Sequence, residues 1–235
     1  PLSGGDGAKT VNVRFRDAVG NESFASVPLT WDTRRPAGSF TLAGALADGT
    51  ASTVRTATNA VTLTITPDDA TGYLVGDETL ATCPTAAASY TALGALVVPT
   101  TMTSALNPRE VRLCLRDAAG NVSLSPLSRT IPFDATGPSG CVLTLSGQPY
   151  RGVTPPAGKT ANLTVNASVG ATCSETPAEI FLTSASTTCS ATASYPWQSF
   201  GAGLTAQLAG PDGTNTIFGC VRDAAHNVGT IVQAN

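Results

Sequence analysis

The stretch VRLCLRDAAGNVS (111–123) alternates apolar and polar residues as far as an Arg-Asp pair, and then reads Asp-Ala-Ala-Gly-Asn before the alternation resumes. A period of two predicts a β-strand, and an Asp/Gly/Asn cluster between two such runs predicts a hairpin turn. One face of the predicted strand is apolar and the other carries the arginines. The inward residues are Val111, Leu113 and Leu115, and the outward residues are Arg112, Cys114 and Arg116.

The same phrase occurs twice more, as VNVRFRDAVGNES (11–23) and IFGCVRDAAHNVG (217–229). The Arg-Asp pairs begin at 16, 116 and 222, which are 100 and 106 residues apart. That period is longer than the ~20–50 residues of most solenoid repeats, and it matches one immunoglobulin-like sandwich of ~100 residues. Other short alternating segments recur in phase with it, and VTLTIT (61–66) is expected to correspond to NLTVNA (162–167).

The repeat predicts an all-β chain of tandem Ig-like antiparallel sandwiches with no significant helix. We expect complete sandwiches at 32–133 and 134–235, preceded at 1–31 by the last two strands of a third. A two-stranded hairpin alone is marginal in water. We therefore expect its missing strands to lie upstream in a longer parent chain or to come from a neighbour.

The repeated Asp-x-x-Gly-Asn cluster is predicted to be a structural turn. Its aspartate can accept hydrogen bonds from backbone amides, and its glycine can supply a positive φ, which His226 tolerates in the third copy. One Asp and one Asn offer too few oxygens for a calcium loop. The predicted turn residues are Asp17, Gly20, Asn21, Asp117, Gly120, Asn121, Asp223, His226 and Asn227.

A strand ending in V-x-V-x-D-x-A-G-N-x-S and followed by D-x-x-x-P resembles the immunoglobulin-like repeats of large bacterial surface and secreted proteins. The element GYLVGDE (72–78) and an aromatic residue after the next cysteine, Tyr90 or Trp197, resemble that group as well. The resemblance spans essentially the whole chain, with His226 and the extra cysteines as departures. It implies a module of a stalk, an adhesin arm or an enzyme appendage.

Four of the six cysteines are in phase with the repeat. Cys83 precedes Cys114 by 31 residues and Cys189 precedes Cys220 by the same interval, so the sequence predicts disulfides between the members of each pair. Six cysteines allow 15 pairings, and this choice leaves Cys141 with Cys173. Because Cys114 and Cys220 share a face with the arginines, these bonds should staple the outer face of a sheet to the segment after its neighbouring strand.

Cysteine usage also predicts the compartment. There is no C-x-x-C motif and only one histidine, so a zinc site is disfavoured. Three disulfides imply an oxidising compartment, and we expect the protein to be secreted or exposed on the cell surface.

Charge and hydropathy exclude some partners. Charged residues make up 12% of the chain, the net charge is −3 and no basic cluster occurs, so nucleic acid is not an expected partner. No run approaches the roughly 18 apolar residues of a membrane helix.

Catalysis is not expected. His226 has no paired nucleophile, and oxidised cysteines offer no thiolate. Two acidic pairs, Asp68-Asp69 and Asp77-Glu78, could serve glycoside hydrolysis, but both fall in predicted turns and are interpreted as solvated loop acids.

Two weaker sites remain. Asp32 and Asp134 head their sandwiches, where a junction could bind calcium, yet each stretch supplies a single carboxylate; no cofactor is otherwise expected. In SYPWQSF (194–200), Tyr195 and Trp197 could form a ligand patch, although aromatics beside a disulfide more often pack.

We therefore expect a non-enzymatic stalk, fibre or adhesin arm of a bacterial extracellular or surface protein. Its first partners would be neighbouring repeats of the same chain, and a surface glycan or protein could be another. One alternative is a carbohydrate- or protein-binding module of a secreted enzyme. Another is a segment of an extracellular polymer.

Overall fold

The structure, a computed structural model, describes residues 4–170, 172–210, 212–230 and 232–235. Residues 1–3, which open the predicted partial domain, and residues 171, 211 and 231 in the predicted third domain lie outside the described residues. None of the described residues forms a helix long and apolar enough to cross a membrane.

The described chain folds into antiparallel strands with one 3₁₀ turn at Ala87–Ser89. The predicted all-β class is confirmed. An N-terminal hairpin consists of β1 (Gly7–Arg16) and β2 (Glu22–Trp31). The next strands are β3 (Ala37–Ala45), β4 (Ala51–Ser52), β5 (Ala60–Asp68), β6 (Gly72–Gly76), β7 (Thr91–Ala92), β8 (Val97–Thr101), β9 (Arg109–Arg116) and β10 (Leu127–Ile131). The last are β11 (Leu143–Gly147), β12 (Thr164–Val169), β13 (Glu179–Thr183), β14 (Gln198–Ser199), β15 (Thr205–Gln207), β16 (Ile217–Arg222) and β17 (Val232–Ala234).

Strands β3 to β10 form the first sandwich from two sheets, ordered β4-β3-β5-β8 and β10-β9-β6-β7. Leu113 and Leu115 of β9 are fully buried, as the alternation predicts, and they pack against the facing sheet. Truncating such a side chain to alanine costs about 2–5 kcal/mol. The core comprises Phe40, Leu42, Val61, Leu63, Ile65, Val98, Met102, Val111, Leu113, Leu115 and Ile131.

Strands β11 to β17 form the second sandwich, with sheets ordered β11-β12-β15 and β14-β13-β16-β17. Its core is separate from the first and is built in the same way, from alternate residues of facing strands. The core comprises Leu143, Val165, Ala167, Ile180, Leu204, Ala206, Ile217, Val221 and Val232.

The structure corrects the alignment of β5 with β12 by one residue. Leu63 pairs with Val98 of β8, and Val165 holds the same place opposite Ala206 of β15. VTLTIT (61–66) therefore corresponds to residues 163–168 and not to residues 162–167. Because side chains alternate between faces, a slip of one residue would have turned the core residues outward.

The structure contains three disulfides: Cys83–Cys114, Cys141–Cys173 and Cys189–Cys220. Cys114 and Cys220 lie on the strand faces opposite the cores, yet both are fully buried. The segments that follow β6 and β13 carry their partner cysteines. We infer that each of these segments covers the outer face of its sheet and buries the disulfide.

Candidate functional site at the sandwich junctions

The repeated turn has two side-chain hydrogen bonds in common in its three copies, because the aspartate carboxylate accepts both the backbone N–H and the side-chain amide of the asparagine. In the first sandwich, Asp117 Oδ1 accepts the backbone N–H groups of Gly120 at 2.7 Å and Asn121 at 2.8 Å, and Asp117 Oδ2 accepts Asn121 Nδ2 at 2.8 Å. Asp223 Oδ1 accepts the backbone N–H groups of Ala225 at 2.7 Å and Asn227 at 2.9 Å, and Asp223 Oδ2 accepts Asn227 Nδ2 at 2.9 Å. The second backbone donor in this copy, Ala225, therefore lies one turn position earlier than Gly120 does in the first sandwich. These bonds close the turn without a ligand.

The first copy, in the hairpin, has the side-chain hydrogen bonds of the third copy but differs from both other copies in exposure. Asp17 accepts the N–H groups of Val19 and Asn21 and the Asn21 side-chain amide. The Asn21 side-chain hydrogen bond, together with the backbone bonds, lowers the pKa of Asp17. Asp117 and Asp223, by contrast, are 1% and 2% exposed.

The turn also fixes the start of each complete sandwich. Asn121 Nδ2 donates to the Asp32 carbonyl at 3.2 Å, and Asn227 Nδ2 donates to the Asp134 carbonyl at 2.9 Å. The turn therefore lies where the chain enters the sandwich, next to the preceding unit.

The last turn position has a positive φ in every copy: 97° at Gly20, 98° at Gly120 and 64° at His226. Glycine adopts this region readily, whereas a side chain there is strained. His226 keeps the conformation and adds an imidazole, which points to a role that the other two copies lack.

That role is contact with the first sandwich, through the loop between β3 and β4. Ala47 donates its N–H to the Ala225 carbonyl at 2.9 Å, and Ala225 is fully buried. Beside this bond, His226 Nδ1 lies 2.6 Å from Asp48 Oδ2. The two sandwiches thus meet through a backbone hydrogen bond and a side-chain pair.

Arg222 extends this contact into the second sandwich. Its Nη1 lies 3.4 Å from Asp48 Oδ2, and its Nε donates to Glu179 Oε2 at 2.5 Å. Because Arg222 is only 8% exposed, solvent screens these charges less than it would at the surface. We call Asp48, Glu179, Arg222 and His226 the joint cluster.

Electrostatics keep Asp48 ionised. Burial alone would raise the pKa of its carboxyl, but hydrogen bonds from Thr50 and His226 outweigh burial and lower it to about 2. The carboxylate therefore stays ionised down to about pH 3 and remains an acceptor for Arg222 and His226.

Tyr195 and Trp197 pack beneath the joint cluster. The Arg222 guanidinium lies 4.4 Å from the Trp197 ring centroid, Tyr195 meets Trp197 edge-on at 5.5 Å, and Tyr195 stacks on Phe181 at 4.8 Å. Both side chains are half-buried. A face of each ring is already occupied, so packing accounts for their placement, and the ligand patch stays a prediction.

Each complete sandwich also gathers three carboxylates at its entry. One set is Asp32, Asp69 and Asp117, and the equivalent set is Asp134, Glu175 and Asp223, with ligand atoms within 4.8 Å of one another. Burial, together with the charges of Asp134 and Asp223, raises the pKa of Glu175. The sequence supplied one member of each set as a calcium candidate, and the fold adds two more. The calcium expectation stays a prediction.

The acidic pairs considered for catalysis serve the loops around them. Asp68 accepts Arg34 Nη2 at 2.6 Å, while Asp77 accepts the Thr79 and Thr103 hydroxyls. Glu78 accepts the Ala105 N–H at 3.2 Å. Hydrogen bonds to Thr103 and Thr79 lower the pKa of Asp77 to about 2. Asp68, Asp77 and Glu78 are therefore hydrogen-bonded to neighbouring loops, and the interpretation of both pairs as loop acids stays a prediction.

The first sandwich presents the same entry surface, and within the described part of the chain no loop equivalent to the β3–β4 loop lies against it. Ala119, the counterpart of Ala225, is exposed. Arg116 matches Arg222, but Gly72 stands opposite it where Glu179 stands in the second sandwich. Among the described side chains, Arg116 Nε is one of the buried polar atoms without a hydrogen-bond partner. We call Arg116, Ala119 and Gly120 the open entry surface.

No protein-family model matches the chain, and no curated protein sequence matches it significantly. The candidate site therefore depends on its own geometry. Sequence reasoning found His226 as an oddity of the repeat, but it missed Asp48 and Glu179, which lie outside the repeated phrase and come together only through the fold.

Proposed function

We propose that this chain is a non-enzymatic structural segment, a stalk or adhesin arm, of a bacterial protein that is secreted or exposed on the cell surface. In this role the segment separates a functional end from an anchor and holds its units in a fixed orientation. The three disulfides favour an oxidising compartment, because such bonds persist there and are rare in the cytosol.

The observation that carries the proposal is the joint cluster. Relative motion of domains is the default unless an interface restrains it. Here a backbone hydrogen bond from Ala47 to Ala225 and the Asp48–His226 pair restrain the second sandwich against the first. A spacer that transmits position or force needs this kind of restraint.

The outer staples support the same role. Each disulfide closes a separation of 31 or 32 residues and should contribute about 3–4 kcal/mol in the chain-entropy model. Together they protect modestly sized sandwiches against unfolding outside the cell.

The test is internal replacement in the parent protein. Exchanging 32–235 for two unrelated sandwiches of the same length should preserve surface display and ligand specificity. Deleting the stretch should shorten the protein's reach without changing what it binds. The proposal fails if the replacement abolishes ligand binding by the parent protein. It also fails if the isolated chain binds a glycan on an array and Trp197→Ala abolishes that binding.

A further inference from the structure

The second sandwich is attached to the first at two places. One is the β3–β4 loop, through which Asp48 meets His226. The other is the linker 132–134, which follows β10 and whose Asp134 carbonyl accepts Asn227 Nδ2 at 2.9 Å. Two attachments fix an orientation only if their starting points in the first sandwich do not move relative to each other.

Thr56 lies between the starting points of the two attachments. Its backbone N–H donates to the Pro132 carbonyl and its carbonyl accepts the Asp134 N–H, both at 2.9 Å, so that it forms a parallel bridge with Phe133. Its side chain reaches the other attachment, because Oγ1 accepts the N–H of Ala45 at 3.3 Å, where β3 ends and the loop begins. One residue therefore bonds both the linker and the root of the loop.

The Thr56 side chain is fully buried, and its hydroxyl has a partner for each of its hydrogen-bonding roles. It donates to the Thr58 carbonyl at 2.8 Å and accepts the Thr58 N–H at 3.2 Å, in addition to the bond from Ala45. A buried hydroxyl or amide without such partners destabilises the folded state. The hydroxyl therefore holds the backbone at residues 45 and 58 in place.

Close packing and a second set of bonds reinforce this contact. Gly44 passes so near that a Cβ at this position would lie 2.4 Å from Thr56 Cβ. On the other edge of the linker, the Asn107 side chain donates to the Phe133 carbonyl at 2.9 Å and accepts its N–H at 3.1 Å. The linker is thus bonded on both edges where it leaves the first sandwich.

A local turn accounts for only part of the pattern around Thr56. In the second sandwich, Thr160 donates to the Asn162 carbonyl at 3.1 Å and accepts the Asn162 N–H at 3.0 Å, as Thr56 does with Thr58. Hydroxyl bonds to the backbone two residues on are a common turn device. The bonds from Thr56 to Ala45 and to the linker are additional, and they connect the two attachments.

We propose that Thr56 is the positioning residue of the junction between the sandwiches. It fixes the linker to the root of the β3–β4 loop, so the two attachments of the second sandwich move as one body. The inference rests on the proposed function, because it assumes that the segment works by holding a fixed orientation. It adds a residue outside the joint cluster that sets this orientation from within the first sandwich.

The test compares residual dipolar couplings of the two sandwiches in residues 1–235. One alignment tensor should fit both sandwiches of the unmodified protein. Thr56→Val replaces the hydroxyl by a methyl group, and the alignment of the second sandwich should fall to about half that of the first, since weakly restrained domains move relative to each other. Thr56→Ser keeps the hydroxyl and should retain the common tensor. The matched variant Thr160→Val, which loses only turn bonds, should retain it too.

A common tensor in Thr56→Val would overturn the inference, and so would equal losses of alignment in Thr56→Val and Thr160→Val. If Thr56→Val does not fold, amide hydrogen exchange of the unmodified protein decides. The Asp134 N–H should then exchange within about tenfold of the rate of the Leu63 N–H in the core, and faster exchange would reject the inference.

Failure of the proposed function gives a different result. Two alignment tensors in the unmodified protein would reject the fixed orientation itself, and the role of Thr56 with it. A common tensor that survives Thr56→Val rejects only the role of Thr56 and leaves the fixed joint intact.

Discussion

His226 Nδ1 lies 2.6 Å from Asp48 Oδ2, although 178 residues separate the two in sequence. The contact joins one sandwich to the next at a turn position that is glycine in the other two copies. A strained backbone position that carries a side chain is explained when the side chain makes a bond that glycine cannot make.

The Asp48–His226 pair should couple the two sandwiches energetically. In a double-mutant cycle with Asp48→Asn and His226→Gly, we expect a coupling of about 1 kcal/mol in the unfolding free energy of the second sandwich, since the two side chains share a hydrogen bond that is partly hydrated. Chemical denaturation measures it. Asp212→Asn, an exposed acid remote from the cluster, is the control; a coupling of zero would show that the contact carries no energy.

Lowering the pH from about 4 to about 2 should weaken the contact that Asp48 makes between the two sandwiches. The pKa of Asp48 is lowered from 3.8 to about 2 in the folded state, so its contribution is complete above the unfolded value and is lost as pH falls through about 2. The contribution is roughly 2 kcal/mol at most. The difference in stability between the unmodified protein and Asp48→Asn should shrink as pH falls from about 4 towards about 2. A difference that persists at the lowest pH would contradict this account.

The outer staples should stabilise their own sandwiches. Replacing Cys83 and Cys114 together by alanine should lower the stability of the first sandwich by about 3–4 kcal/mol and leave the second unchanged. Calorimetry of the two transitions measures this. Replacing Cys189 and Cys220 should produce the reverse pattern, and equal losses in both sandwiches would contradict independent staples.

The loss of stability on replacing the repeated aspartate should be larger where that aspartate is more deeply buried. Asp117→Ala removes three hydrogen bonds at a residue that is 1% exposed and should cost about 2–4 kcal/mol. Asp17→Ala also removes three hydrogen bonds, but in the exposed hairpin turn, and should cost less than about 1 kcal/mol in residues 1–235. Thermal unfolding of both variants tests this, and equal costs would show that burial is not decisive.

Neutralising Glu175 should reduce the charge repulsion among Asp134, Glu175 and Asp223 and so stabilise the second sandwich. Burial and two neighbouring carboxylates raise the pKa of Glu175, so its ionised form opposes folding, and that penalty disappears as pH falls below the unfolded pKa. In chelator-treated protein, Glu175→Gln should raise the melting temperature of the second sandwich by about 1–3 °C at pH 7 and by less at pH 4. A lower melting temperature at pH 7 would contradict the repulsion.

The sequence predicted much of the fold because strand alternation is local. Leu113 and Leu115 fall on the core side because side chains alternate along the strand. The pair Cys83 and Cys114 recurs one domain length later as Cys189 and Cys220, which predicts both disulfides. The single-residue error at β12 arose because Thr, Ser and Asn flank its apolar residues, so a match of letters does not fix the register.

The joint lay beyond sequence reasoning for a different reason. Asp48 and Glu179 occupy ordinary loop and strand-end positions, and only the docking of one sandwich on the next brings both within reach of Arg222. The sequence contained one signal, His226 in place of glycine. It indicated that the third copy differs from the others, but it did not identify the residues that His226 contacts.

The most direct test of the fixed joint is backbone ¹⁵N relaxation on residues 1–235. We predict that the strands of both sandwiches share one rotational diffusion tensor at pH 7, and that Asp48→Asn combined with His226→Gly separates their apparent correlation times. Two independent tensors in the unmodified protein would contradict the central claim that this chain is a rigidly jointed spacer.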